Sequence, residues 1–194
     1  YALALEFDLL PDELRAPAAA RLAALVHAGG NRIGTGFVGT PLVTDALSAN
    51  GQLDAAYDLL LEKECPSWLY QVGMGATTVW ERWDSMRPDG SVNPGSMTSF
   101  NHYALGAVVD WMHRVVAGLA ADAPGYRRIR VAPRPGGGLT SAAARHRTPF
   151  GEAAVSWRID AGVLHVTAEL PVGTTGVLAL PGQPEEEVGH GTHT

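Results

Sequence analysis

At Pro124-Gly125 the hydrophobic pattern of the chain changes period. Upstream, apolar residues recur at intervals of three and four, the spacing that places side chains on one face of a helix. Downstream they alternate, with Val155, Trp157 and Ile159 set between Ser156, Arg158 and Asp160. A period of two buries one face of a strand and wets the other. A single change of period predicts two segments of different class: helices over residues 1–119 and a small antiparallel β-sandwich domain over 120–194. At 194 residues the chain is long enough for both to bury a core.

Within the first segment, Leu3, Leu5, Leu9 and Leu10 predict a helix that Pro11 ends. Ala18 to His27 predicts a second, stopped by Gly29-Gly30. Thr40-Pro41 is a start signal, a hydroxyl N-cap followed by proline at the first helical position. Leu53, Tyr57, Leu60 and Leu61 mark the next helix. A short helix is expected from Thr78 to about Trp83, and Ser99 is expected to cap a long one carrying Leu105, Val108, Met112, Val116 and Leu119. Paired helices of this kind suit a bundle or an α/α barrel, and periodicity does not choose between them.

In the second segment Arg128–Val131 and Ser141–Arg147 read as strands. Asp160-Ala161-Gly162 reads as the turn of a hairpin whose second strand carries Leu164, Val166, Ala168 and Leu170. Leu178–Leu180 is expected to add an edge. From Gly182 onward the sequence is polar and Gly-rich, and disorder is expected.

Composition narrows the function. A net charge of -6 argues against nucleic acid and anionic membrane as partners, since both select basic surfaces. No apolar run is long enough to span a bilayer. The opening run from Tyr1 reads as a helix rather than a signal peptide, and localisation stays open. The single cysteine, Cys65, forms no internal disulfide and reads as a small core residue. His190 and His193 have the spacing of metal ligands but no third ligand nearby, so neither a metal nor a cofactor is expected. Gly34-Thr35-Gly36-Phe37-Val38-Gly39-Thr40 lacks the Gly-Lys-Ser/Thr ending of a phosphate loop. Its glycines read as aids to a tight turn or a close approach. No Gly-x-Ser-x-Gly elbow is present.

The unusual residues concentrate between Trp68 and Asp110. Trp68, Tyr70, Trp80, Trp83, Phe100 and Tyr103 lie among Glu81, Asp84, Asp89 and His102. Rings beside acids suit a carbohydrate site, because sugar C–H faces stack on aromatics while hydroxyls need charged partners. A packed helical core with solvated acids explains the same composition. Glu81 carries two readings. Thr78-Val79-Trp80-Glu81 matches a capping box, which requires no chemistry. Its place between Trp80 and Trp83 is apolar for a surface cap and suits acid/base work. His102 reads either as a satisfied core histidine or as a hydrogen-bond donor to a substrate near Glu81. His113 reads as a packing residue.

Four segments, in order, resemble the bacterial α-L-rhamnosidases of glycoside hydrolase family 78: Thr35-Gly36-Phe37-Val38-Gly39-Thr40-Pro41, Pro66-Ser67-Trp68-Leu69-Tyr70, Gly75 through Trp83, and Met97 through Gly106. The resemblance implies that residues 1–119 are the C-terminal half of an (α/α)6 six-hairpin barrel and that a β-sandwich follows. It implies hydrolysis of terminal α-L-rhamnose from glycosides with inversion, Glu81 as general base, and His102 in contact with the sugar. Trp80 and Trp83 flank the base as candidate substrate-binding residues. The family's general acid lies in an acidic, arginine-containing motif of the first half of the barrel, before Tyr1 of this chain. The expected partners are therefore rhamnose-containing glycosides and the missing N-terminal part of the enzyme. The alternative is a non-catalytic module that binds carbohydrate or completes a partner chain; a related α/α-barrel glycosidase with another sugar is a third reading.

Overall fold

The computed structural model describes residues 1–194, with helices first and strands after. Two units divide the chain, Tyr1–Val108 and Val109–Thr194.

In the first unit α1 (Ala2–Glu6) is shorter than its apolar spacing predicts, because Asp8 adopts φ 52° and turns the chain. Helix α2 (Asp12–Ala28) begins earlier than expected and carries Pro17 inside it. Asp12 and Glu13 occupy its first turn, where carboxylates oppose the helix dipole. Helix α3 (Thr40–Ala49) starts as Thr40-Pro41 predicts, with Gly39 rather than Thr40 at the cap. Helix α4 (Leu53–Leu61) packs on α3, and Ala46, Leu47, Ala56 and Tyr57 bury between the helices of the unit. The short α5 (Trp68–Gly73) is capped by Ser67, whose Oγ accepts from Tyr70 N at 3.1 Å. Leu3 of α1, Phe7 and Leu9 of the connection that follows it, and Leu14 of α2 are exposed. No helix is long and apolar enough to cross a membrane.

Two expectations fail between Thr78 and Tyr103. Thr78 to Trp83 forms no helix, and Ser99 caps none. Helical structure resumes only with a 3₁₀ turn at Ala104–Ala107, the turn α6 (Val108–Trp111) and a π-helical turn at Met112–Ala117. The reason is that 79–81 and 99–102 hydrogen-bond to each other, which keeps both stretches out of a helix.

The second unit places two four-stranded sheets around one core. The first sheet runs β1 (Leu119–Ala121), β2 (Arg128–Val131), β6 (Thr175–Leu178), β7 (Glu186–Val188). Its β2–β6 pair is parallel and the others antiparallel. The second sheet is wholly antiparallel: β3 (Ser141–Thr148), β4 (Gly151–Asp160), β5 (Val163–Leu170), β8 (Gly191–His193). Leu119, Ile129 and Val131 of one sheet meet Ala153, Val155, Ala168 and Leu170 of the other. The hairpin turn is as read from sequence, with Ala161 at φ 47° and Gly162 at 81°, the two positive values a two-residue type I′ turn requires.

Three details differ from expectation. The tail from residue 182 is ordered: β7 pairs with β6, and β8 pairs with β5. Backbone pairing compensates there for weak apolar content, and Arg128 and Arg130 add salt bridges to Glu187 and Glu185. The strand near Leu178 is internal to its sheet rather than at an edge. Residues 109–117 group with the strands because Trp157 Nε1 donates to Val116 O at 2.8 Å and Arg134 N to Val115 O at 3.0 Å.

Candidate functional site

A short irregular ladder brings Glu81 and His102 onto adjacent stretches of chain. Glu81 N donates to Ser99 O at 2.9 Å, and His102 N donates to Val79 O at 2.8 Å. The Thr78 hydroxyl donates to Phe100 O. This is where the capping box fails: Thr78 and Glu81 have the right spacing, but each is engaged across the ladder and neither closes a helix start. The Glu81 carboxylate accepts from Ser99 N through Oε2 at 3.2 Å. Its other oxygen, Oε1, makes no bond to protein, and the side chain is only half-buried.

The tryptophans beside Glu81 pack behind it. Trp80 is 2% exposed and meets Phe100 edge-on at 5.2 Å between centroids. Its backbone N donates to Oε1 of the buried Gln71 at 3.2 Å. Trp83 is half-buried and meets Trp68 edge-on at 5.7 Å, while Trp68 Nε1 donates to Leu105 O at 2.8 Å. The acid's neighbours thus tie its loop to α5 and to the 3₁₀ turn.

Beyond Glu81, Arg82 Nε donates to Asp84 Oδ1 at 2.7 Å and Asn93 Nδ2 to Asp84 Oδ2 at 2.8 Å. Asp84 is therefore committed to organising the 82–96 loop. Asp89 sits on an exposed turn, where hydrogen bonds from Ser91 hold its carboxyl below the usual carboxylate range. Cys65 is half-buried, and burial, then the charge of Asp84, pushes its thiol up. Such a thiol is a poor nucleophile near neutrality.

His102 is held from several sides. Ala104 N donates to its Nδ1 at 3.3 Å. In the neutral ring this leaves the proton on Nε2, which makes Nε2 a donor. The ring stacks on Phe37 at 5.0 Å and 17°, and on Tyr103 at 5.3 Å and 8°. Phe37 was not read as a site residue from sequence; the signals were an aromatic at the tip of a Gly-rich loop and its place in the first of the four resembling segments. In that loop Gly39 alone is crowded, since a Cβ there would lie 3.0 Å from Thr35 Cβ, whereas Gly34 and Gly36 face open space.

The other histidines lie elsewhere. His113 Nδ1 hydrogen-bonds Leu119 O at 2.9 Å, and His193 Nε2 contacts Gly189 O at 3.0 Å. An apolar cavity of about 280 Å³, lined by Tyr1, Leu22, Val26, Ile33, Val43 and Leu59 among others, includes neither Glu81 nor His102.

The order of a helical segment followed by paired β-sheets matches known proteins. The model of the bacterial alpha-L-rhamnosidase 6 hairpin glycosidase domain covers residues 1–116, and that of the bacterial alpha-L-rhamnosidase C-terminal domain covers 118–194. The chain belongs to the bacterial α-L-rhamnosidase family. An alpha-L-rhamnosidase of Streptomyces avermitilis is 42% identical over 193 residues, which is 100% of this chain and 19% of that protein. Among rhamnosidase structures, the native enzyme from Aspergillus terreus aligns at TM-score 0.96 and 48% identity, over 99% of this chain and 23% of the other. The S. avermitilis enzyme complexed with L-rhamnose aligns at 0.93 and 39%, over 99% and 20%. The chain thus spans about a fifth of the length of the rhamnosidases it matches.

Proposed function

We propose that this chain supplies the general base and part of the sugar pocket of an inverting α-L-rhamnosidase acting on terminal α-L-rhamnose of glycosides. The observation that carries the reading is the ladder, which pairs the stretch bearing a carboxylate with one free oxygen with the stretch bearing a histidine whose Nε2 is a donor. Inversion requires one carboxyl to protonate the leaving oxygen and another, on the opposite face, to deprotonate a water; about 6.5–9.5 Å between them leaves room for that water. Glu81 Oε1 would take the proton from water as it attacks the anomeric carbon. His102 Nε2–H would donate to a ring hydroxyl. Trp80, inside the core, supports the loop; Trp83, half-buried, is the tryptophan with surface left for a sugar.

The general acid is assigned to residues outside this chain. Asp84 is bound to Arg82 and Asn93, and Asp89 is engaged by Ser91 on an exposed turn. The exposed apolar residues of α1, α2 and the connection between them suit a partner that completes the barrel.

The test grafts this chain into the S. avermitilis relative in place of its matching segment. The graft is expected to hydrolyse an aryl α-L-rhamnoside and to release the β-anomer first, as read by NMR before mutarotation, while the isolated chain gives no hydrolysis. First release of the α-anomer would exclude the inverting mechanism. Hydrolysis by the isolated chain would exclude the division of labour.

A further inference from the structure

The geometry points to Phe37 as a positioning residue that sets the plane of the His102 ring, and so the direction in which Nε2–H points. This rests on the reading that His102 faces the sugar. An imidazole on a single side-chain axis has two freedoms, the tilt of its plane and a half-turn about Cβ–Cγ that exchanges Nδ1 with a carbon. Backbone bonding of His102 N to Val79 O fixes neither. The Ala104 N–H selects the edge, because only Nδ1 accepts it. It does not fix the tilt by itself: at 3.3 Å the bond is long, and it persists only while the ring plane keeps the in-plane Nδ1 lone pair aimed at Ala104 N. The tilt is fixed by the nearly parallel ring of Phe37, 17° away at 5.0 Å. Tyr103 also lies parallel but is 89% exposed, so it follows the stack and has little packing of its own to anchor it.

Phe37 is anchored as a positioning residue must be. Its loop is closed by Gly39 N and Thr40 N donating to Gly36 O at 3.1 and 2.9 Å. The buried Thr40 hydroxyl donates to Thr35 O at 3.1 Å and accepts from Thr35 Oγ1 at 2.8 Å. Thr40 opens α3, which packs against the 3₁₀ turn that follows His102. Loop and histidine are therefore referenced to touching elements. This accounts for a half-buried aromatic at the tip of a loop whose neighbours, Gly36 and Val38, are exposed.

The experiment uses the isotope-labelled chain itself. Long-range ¹H–¹⁵N NMR of the wild type should show His102 with Nδ1 bare and Nε2 protonated, and Ala104 N–H should exchange slowly. Phe37→Leu, which keeps apolar bulk without a flat ring, should give mixed His102 tautomers and faster Ala104 exchange; Phe37→Tyr should restore both. Unchanged indole N–H signals of Trp68 and Trp80 will show that the unit remains folded, and if Phe37→Leu disturbs them Phe37→Met replaces it. An unaltered tautomer ratio and Ala104 exchange in the folded variant would overturn the assignment. The Phe37→Leu graft should also lose up to about 100-fold in kcat/KM, the loss a misplaced contact produces, with Phe37→Tyr recovering it. A tautomer change without a kinetic one would keep the positioning role and remove His102 from the sugar site.

Discussion

Glu81→Gln in the grafted rhamnosidase is expected to lower kcat for an aryl α-L-rhamnoside by about 10²–10⁴-fold, the range contributed by a positioned general base. The substitution isolates chemistry from structure. A glutamine carbonyl oxygen accepts the Ser99 N–H as the carboxylate does, and the backbone bond from residue 81 N to Ser99 O is untouched. The ladder, and with it the place of His102, should persist, so KM should change little and the thermal midpoint should stay near that of the parent. What is lost is the ability to take a proton at Oε1. Initial rates across substrate concentration separate the two constants. Turnover within a few-fold of the parent would remove Glu81 from the reaction.

The largest effect on stability is expected at Gly118, far from that chemistry. Its φ of 89° lies in the left-handed region, which costs a residue with a Cβ about 1–2 kcal/mol. A Cβ there would also stand 2.3 Å from Pro133 N and 2.5 Å from Pro133 Cα. These are backbone atoms, so no rotamer change relieves the clash, and overpacking adds about 1–3 kcal/mol. Moving the strands apart would break the bond from Ala132 N to Gly118 O at 2.8 Å, beside the start of β1. Gly118→Ala is therefore expected to destabilise the second unit by roughly 2–5 kcal/mol, the sum of those two ranges. Gly36→Ala, with open space and no positive φ, should stay within about 0.5 kcal/mol. Urea unfolding followed by far-UV circular dichroism, which reads both units, compares them; equal midpoints would contradict the packing seen at Pro133.

The parts of this fold legible in the sequence are those where local and tertiary preferences agree. Leu53–Leu61 is a helix by period and by burial, and the chain turns at Ala161-Gly162, where Gly162 takes positive φ without a Cβ penalty. The β-hairpin alternation survives where one face is buried, at Val155, Trp157, Ala168 and Leu170, and is lost at Ile159 beside the turn, which is exposed. What misled was short-range chemistry overruled from a distance. Thr78 and Glu81 fit a capping box, yet partners about twenty residues downstream claim both. The same ladder removes Ser99 from the helix it was expected to cap, and its hydroxyl turns to Asn101 instead. At the C-terminus, low hydrophobicity pointed to disorder, while free strand edges recruited Glu186–Val188 and Gly191–His193. The candidate site was legible as separate motifs, and the resemblance named Glu81 and His102. The pairing of their two stretches, the Phe37 ring against His102 and the Gln71 bond to Trp80 N came only from the structure.

The most direct measurement is a crystal structure of the grafted rhamnosidase with L-rhamnose bound. The account predicts the sugar against the ladder, with Glu81 Oε1 one water away from the anomeric carbon, His102 Nε2 within hydrogen-bond distance of a ring hydroxyl, and a second carboxyl from outside this chain on the opposite face. A rhamnose ring bound in the barrel with neither Glu81 nor His102 within reach of it would contradict it.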